Sequence, residues 1–126
     1  MIKLNKSYTW IVTGGAGFIG SNLIRYLINQ NQKVICIDNL CNGKRQNLKT
    51  FINNKKFQFF NKDIRKLNIK IFKKKKIDFL IHLAALGSVE RSFKNPVETN
   101  SVNVEGSLNV MKIANDLKIK KFILHR

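Results

Sequence analysis

The run Thr13-Gly14-Gly15-Ala16-Gly17-Phe18-Ile19-Gly20 limits this chain more than any other stretch, because four of its seven glycines fall within seven positions. So dense a cluster marks a tight turn, where backbone freedom is needed. Ahead of it, residues 8–13 (YTWIVT) form a short apolar run that reads as a strand. Behind it, Phe18, Ile19, Leu23, Ile24, Leu27 and Ile28 recur at helical spacing. The unit is therefore strand, turn, helix.

The same alternation continues along the 126 residues. Residues 33–38 (KVICID) and 57–60 (FQFF) read as a second and third strand. Asp63-Ile64-Arg65 follows, with a helix expected to about residue 75. A fourth strand, 77–84 (IDFLIHLA), is apolar almost throughout, as parallel strands are when both faces are covered. Residues 85–95 read as a loop leading to Pro96, the only proline, which suits the first turn of a helix. That helix is expected to run to about residue 117, with Val102, Leu108, Val110, Met111 and Ala114 among its apolar positions. Residues 121–124 (KFIL) open a fifth strand. Strand and helix repeated four times plus a last strand predict an α/β, Rossmann-type doubly wound parallel sheet, ordered 3-2-1-4-5 with right-handed crossovers. A ligand should then sit above the carboxyl ends of the first and fourth strands, near residues 14–20 and 84–88.

The formal charge of +17 invites a nucleic-acid reading. Lysine, however, outnumbers arginine 19 to 5, and Asn and Ile are each present 16 times against 4 Ala. These abundant residues have A/T-rich codons, so the bias reads as a property of the genome, and a nucleic-acid reader would favour arginine's bidentate fork. A basic nucleic-acid-binding domain is the least supported reading. The run Lys73-Lys74-Lys75-Lys76 is read as a solvated helix end, where cations offset the helix dipole. No apolar run approaches the roughly 20 residues needed to span a bilayer, and the first residues lack a secretory signal. Cys36 and Cys41, without metal-ligand companions, are expected to be reduced in a cytoplasmic protein, with Cys36 in a strand.

Two glycine patterns overlap: Gly15-x-Gly17-x-x-Gly20 and Gly14-x-x-Gly17-x-x-Gly20. In a dinucleotide fingerprint the early glycine permits the tight turn and Gly17 admits the pyrophosphate to the backbone. Gly20 lets helix and sheet pack closely, and the helix amides hold the phosphates. Asp38, 18 residues after Gly20, ends the second strand where a carboxylate can accept hydrogen bonds from an adenosine ribose. It would repel a 2′-phosphate, favouring NAD over NADP, although Lys44 and Arg45 soften that repulsion. A loop cap is the alternative role for Asp38.

With these residues in place, the chain resembles the extended short-chain dehydrogenases, the NAD-dependent epimerase/dehydratase family. TGGAGFIGSNL (residues 13–23) is similar to their cofactor loop, which implies cofactor contacts from Gly14, Gly17, Phe18, Ile19 and Gly20. Asp38, Asn39, Asn42 and Gly43 resemble the adenosine-binding turn of UDP-glucose 4-epimerases. Asp63 and Ile64 match the segment whose carboxylate meets the adenine amino group, although Asp63, preceding a helix, has capping as an alternative. Ala84, Ala85 and Leu86 match the strand end beside the nicotinamide half, and Asn103 the asparagine that helps order the site. Residues 85–92 (ALGSVERS) resemble the substrate-side loop of UDP-N-acetylglucosamine 4-epimerases. The resemblance alone gives Ser88 a place near the sugar; a turn cap is its other reading.

The resemblance implies hydride transfer at C4 of a UDP-hexose, UDP-Glc or UDP-GlcNAc, and a homodimer through the helix after Pro96. It also implies a Tyr-x-x-x-Lys acid/base, which this sequence lacks: neither Tyr8 nor Tyr26 has a lysine four residues on. Residues 1–126 are thus expected to be a partial NAD-binding domain without the catalytic helix or sugar-binding part, and inactive alone. No catalytic residue and no metal ligand is assigned. A nucleotide-sugar dehydratase, or an NAD-binding or interaction module completed by a second chain, are the alternatives. His82 is expected to be a satisfied core histidine, while Trp10, Phe57, Phe59 and Phe60 are expected in the core.

Overall fold

The computed structural model describes residues 4–72 and 75–125. Five parallel strands form one sheet: β1 (Thr9–Thr13), β2 (Lys33–Asp38), β3 (Phe57–Asn61), β4 (Phe79–His82) and β5 (Lys121–Leu124), in the order β3-β2-β1-β4-β5. The expected topology is therefore correct. The β1 register places Ile11 beside Ile35 on one side and Leu80 on the other.

Alternation along the strands divides the apolar residues between two layers. Ile11, Ile35, Ile37 and Leu80 face Val110, Ile113, Phe72 and Ile64. Val12, Val34 and Cys36 face Ile24, Leu27, Leu48 and Phe51. Each fully buried aliphatic side chain stabilises by about 1.5–3 kcal/mol. The first layer is covered by α4 (Gly106–Asp116) and the second by α1 (Phe18–Asn29). Phe57 is buried, whereas Trp10, Phe59 and Phe60 are half-buried at the margin.

The connections depart from the expected pattern. Between β2 and β3 the chain makes only a 3-10 turn, Arg45–Leu48. Between β3 and β4 there are two more, Ile64–Lys66 and Ile69–Phe72, in place of the expected α-helix. Asparagines account for part of this, because their side chains bond backbone two residues on and favour turns over helix. Asn68 Oδ1 accepts from Lys70 N, and Asn54 Oδ1 from Lys56 N. Like charges four residues apart, at Lys62, Lys66 and Lys70, disfavour a helix further. Lys73 and Lys74 lie outside the described residues.

The expected loop at 85–95 contains a short helix, α2 (Val89–Lys94), started by Ser88, whose Oγ accepts from Arg91 N at 3.2 Å. The helix after Pro96 is also not uniform. It comprises α3 (Pro96–Asn100), a wide π-type turn (Ser101–Glu105) and α4. Asn95, whose helical conformation the following proline disfavours, separates α2 from α3 at φ −142° and ψ 71° and caps α3 through Glu98 N. Of the apolar positions read from sequence, Leu108 and Met111 are exposed, as are Phe18 and Ile19. Among the described residues no helix is long and apolar enough to cross a membrane.

Gly14 has φ +74°, and a Cβ there would lie 2.7 Å from Ala84 N. Backbone meeting backbone leaves no side chain free to yield. Gly14→Ala should therefore cost about 2–4 kcal/mol in urea unfolding. Gly87→Ala, where an added Cβ meets nothing within 4 Å, should match the wild type. Equal midpoints for both variants would refute this account.

Candidate functional site

The cleft lies where β1 and β4 diverge, at the carboxyl ends of the strands, as expected from the topology. Gly14, Gly17, Asp38, Asn39, Asn42 and Gly43 line one wall, and Asp63, Ile64, Ala84, Ala85 and Leu86 the other. Its volume is about 140 Å³, below the roughly 300–1,000 Å³ of a complete small-molecule pocket. It is a one-sided cradle.

Close backbone approach builds it. A Cβ on Gly20 would lie 2.7 Å from Gly15 Cα, so α1 can rest against the turn only with glycine there. A Cβ on Gly43 would lie 2.7 Å from Ala16 Cβ, which lets the 39–44 turn pack on the glycine loop. Lys44 N and Asn47 Nδ2 both donate to Ala16 O, at 3.0 and 2.8 Å. Asp38, almost buried, ties the two segments: Oδ2 accepts from Ala16 N at 2.9 Å and Oδ1 from Leu40 N at 2.7 Å. The α1 N-terminus at Gly17 has no side-chain cap and no acidic residue in its first turn. Its amides are left to accept an anion.

Asp63 performs the capping role and also faces the cleft. It accepts from Arg65 N at 2.9 Å and holds the Arg65 guanidinium by a two-pronged ion pair, closest contact 2.5 Å. That pairing lowers the Asp63 carboxyl below its usual 3.8 and raises Arg65. Arg65 Nη1 also donates to Ser101 Oγ, joining this wall to the π-type turn.

The other wall is set by a chain of polar groups whose proton directions can be assigned. Thr13 Oγ1 accepts from Leu83 N and Ala84 N, which leaves its own proton for His82 Nδ1 at 2.5 Å. His82 Nε2 therefore carries the ring proton and donates to Ser107 Oγ at 2.9 Å, and Ser107 donates to Asn103 O at 2.7 Å. Asn103 lies outside the cleft lining yet fixes it, because its amide both accepts from Leu86 N and donates to Leu86 O. The π-type turn brings Asn103 to that position, a common use of such bulges. His82 is the satisfied core histidine expected from its strand.

Phe18, Ile19, Gly20 and Ser88 do not line the cleft. Phe18 and Ile19 stand exposed at the α1 N-terminus, and Ser88 lines a separate shallow depression with Glu90 and Arg91. Lys62, Arg65, Leu83, Glu98, Val102 and Cys41 do line it and were not assigned from sequence. Arg65 was legible as a cation two residues after Asp63; Glu98 carried no signal. Arg91 crosses from α2 to donate to Asn42 Oδ1 at 3.1 Å, strapping the cleft mouth. Cys36 is buried, and desolvation together with the Asp38 charge pushes its thiol up to about 12, so it stays protonated. Cys41 is exposed.

Comparison with known proteins agrees with this geometry. A model of the NAD dependent epimerase/dehydratase family matches residues 10–125. A UDP-glucose 4-epimerase from Pasteurella multocida is 40% identical over 78% of this chain and 30% of that protein. A dTDP-D-glucose 4,6-dehydratase from Dictyostelium discoideum is 39% identical over 90% of this chain and 27% of that protein. The solved UDP-N-acetylglucosamine 4-epimerase from Methanobrevibacter ruminantium superposes with TM-score 0.83 at 38% identity, covering 93% of this chain and 37% of that one. The chain thus spans about a third of the length of these relatives.

Burial lowers the His82 pKa from 6.5 to about 4. The unfolded chain then binds the extra proton between those values, so stability rises with pH across that window. Stability should be level above about pH 6.5 and fall by up to about 3 kcal/mol on acidification to pH 4. The Asp63 contribution is lost only at lower pH still. A His82 ring titrating near 6.5 by NMR in the folded protein would contradict this.

Proposed function

Because the chain belongs to the NAD dependent epimerase/dehydratase family, we propose that it forms the NAD-binding portion of a UDP-sugar 4-epimerase. The observation that carries this reading is one juxtaposition: an uncapped helix N-terminus behind a glycine turn, with Asp38 in the same cleft. The residues fit the cofactor. A Cβ on Gly17 would meet only Gly14 O, at 3.4 Å, so its absence leaves room for a group approaching the backbone.

Gly14 and Gly17, with Phe18, Ile19 and Gly20 opening α1, are assigned to the pyrophosphate through backbone amides. The free lone pairs of Asp38 take the ribose hydroxyls, flanked by Asn39, Asn42 and Gly43. Asp63 and Ile64 take the adenine. Ala84, Ala85 and Leu86 form the nicotinamide side, held in shape by Asn103. Bound there, NAD supplies a reversible hydride acceptor for C4 of a UDP-hexose, UDP-Glc or UDP-GlcNAc. Ser88 is assigned to the sugar side.

The acid/base that removes the sugar hydroxyl proton is not among these 126 residues, since neither tyrosine has the required lysine. It must come from further chain or from a second polypeptide, and residues 1–126 alone bind without turnover. The exposed stripe Val97, Val104, Leu108 and Met111 on the helix after Pro96 supports pairing of two copies there. A nucleotide-sugar dehydratase is the second reading, supported by the Dictyostelium relative.

Calorimetry with NAD tests the reading. The chain should bind NAD saturably, and Asp38→Ala should weaken binding at least about tenfold, as expected for a charge-assisted ribose contact. A folded chain that takes up no NAD would refute it. Turnover of UDP-glucose or UDP-N-acetylglucosamine by these residues alone would refute the division of labour.

A further inference from the structure

All five strands run the same way, so their amino ends open on a single edge of the sheet, opposite the cleft, and nearly every strand is entered through lysine. Lys55 and Lys56 precede β3, Lys33 opens β2, Lys6 lies just before β1 and Lys120 precedes β5. Lys75 and Lys76 arrive shortly before β4. Together they line a groove of about 630 Å³, several times the volume of the cleft. With neighbouring strands about 4.8 Å apart, these strand starts lie side by side across the sheet.

One carboxylate lines the groove against these seven lysines, and none of them forms an ion pair with it. Asp78 is the acidic residue among its lining groups, and it is buried with Oδ2 accepting from Thr9 N at 3.0 Å. Among the described residues the ion pairs are Arg65–Asp63 and Lys94–Glu90, both elsewhere. Lys56 bonds the carbonyl and side-chain amide of Asn31, and Lys75 the amide oxygen of Gln58. These acceptors are neutral and leave the charges uncompensated. The carboxylates Asp38, Asp63 and Glu98 line the opposite cleft. Seven of the chain's 19 lysines line this one concave edge, where like charges focus the field.

The lining also selects among anions. Lysine supplies rotatable point charges that hold phosphate without fixed geometry. A single-stranded nucleic acid would need exposed ring faces for its bases. The aromatic residues here do not offer them: Phe57 is buried, and Tyr8 packs edge-on against Phe79 at 5.0 Å. We propose that this groove is a second anion site, separate from the dinucleotide cleft, that takes a condensed phosphate of three or more linked phosphate groups.

Tripolyphosphate titrated calorimetrically into the full chain tests this. Binding should weaken roughly tenfold between 50 and 200 mM salt as counterions cease to be released. The groove triple variant Lys33→Gln, Lys55→Gln, Lys120→Gln should lose at least tenfold in affinity. A control triple, Lys44→Gln, Lys62→Gln, Lys94→Gln, removes equal charge from the cleft side and should lose less than twofold. All three groove positions are exposed, so circular dichroism should be unchanged. Absence of binding, equal losses in both triples, or loss confined to the control overturns the proposal. So does tighter binding of an oligothymidylate carrying the same number of charges.

Discussion

Three backbone segments meet at the carboxyl end of β1 with no room for a side chain between them. Gly14 lies against Ala84, Gly20 against the glycine turn itself, and Gly43 against Ala16. Every feature of the cleft depends on that contact. It sets the depth of the cradle, brings the turn after β2 over the glycine loop, and aims the α1 amides into the space between β1 and β4. Because the obstacle at Gly14 is main chain, the site cannot relax around a larger residue by changing a rotamer.

Hydrogen bonds then hold these segments in register. Asp38 clamps the loops on one wall, and on the other Thr13, His82, Ser107 and Asn103 pass from the end of β1 to the helix and back to Leu86. None of the second group needs to touch a ligand. Its effect is to fix the 83–86 backbone that forms this wall of the cleft. Burial of His82 keeps that chain in one protonation state through neutral pH, since a second ring proton would face the Thr13 hydroxyl proton.

Charge is distributed against this frame in a polar way. Three carboxylates, Asp38, Asp63 and Glu98, line the cleft, while seven lysines line the amino edge. Composition alone does not distinguish a solvated lysine from one in a concave row, because that difference arises only when a parallel sheet brings five strand starts together.

The sequence by itself determined the strand order, the glycine turn, the placement of Asp38 and the membership of His82 in the core. Each of these follows from a local rule: period-two burial, backbone crowding, or the position of a strand end. It misplaced the helix expected between β3 and β4, because asparagine turns and lysine repulsion compete locally with helix, and the outcome there rests on how Ile64, Leu67 and Phe72 pack. Ser88 and Asn95 carried cap signals that would have revealed α2. Only tertiary structure decided that Leu108 and Met111 face outward, that Asn103 reaches Leu86 through a π-type turn, and that Arg65 and Glu98 join the cleft. Those facts depend on side chains far apart in sequence meeting across elements, and such meetings leave no periodic trace in the chain.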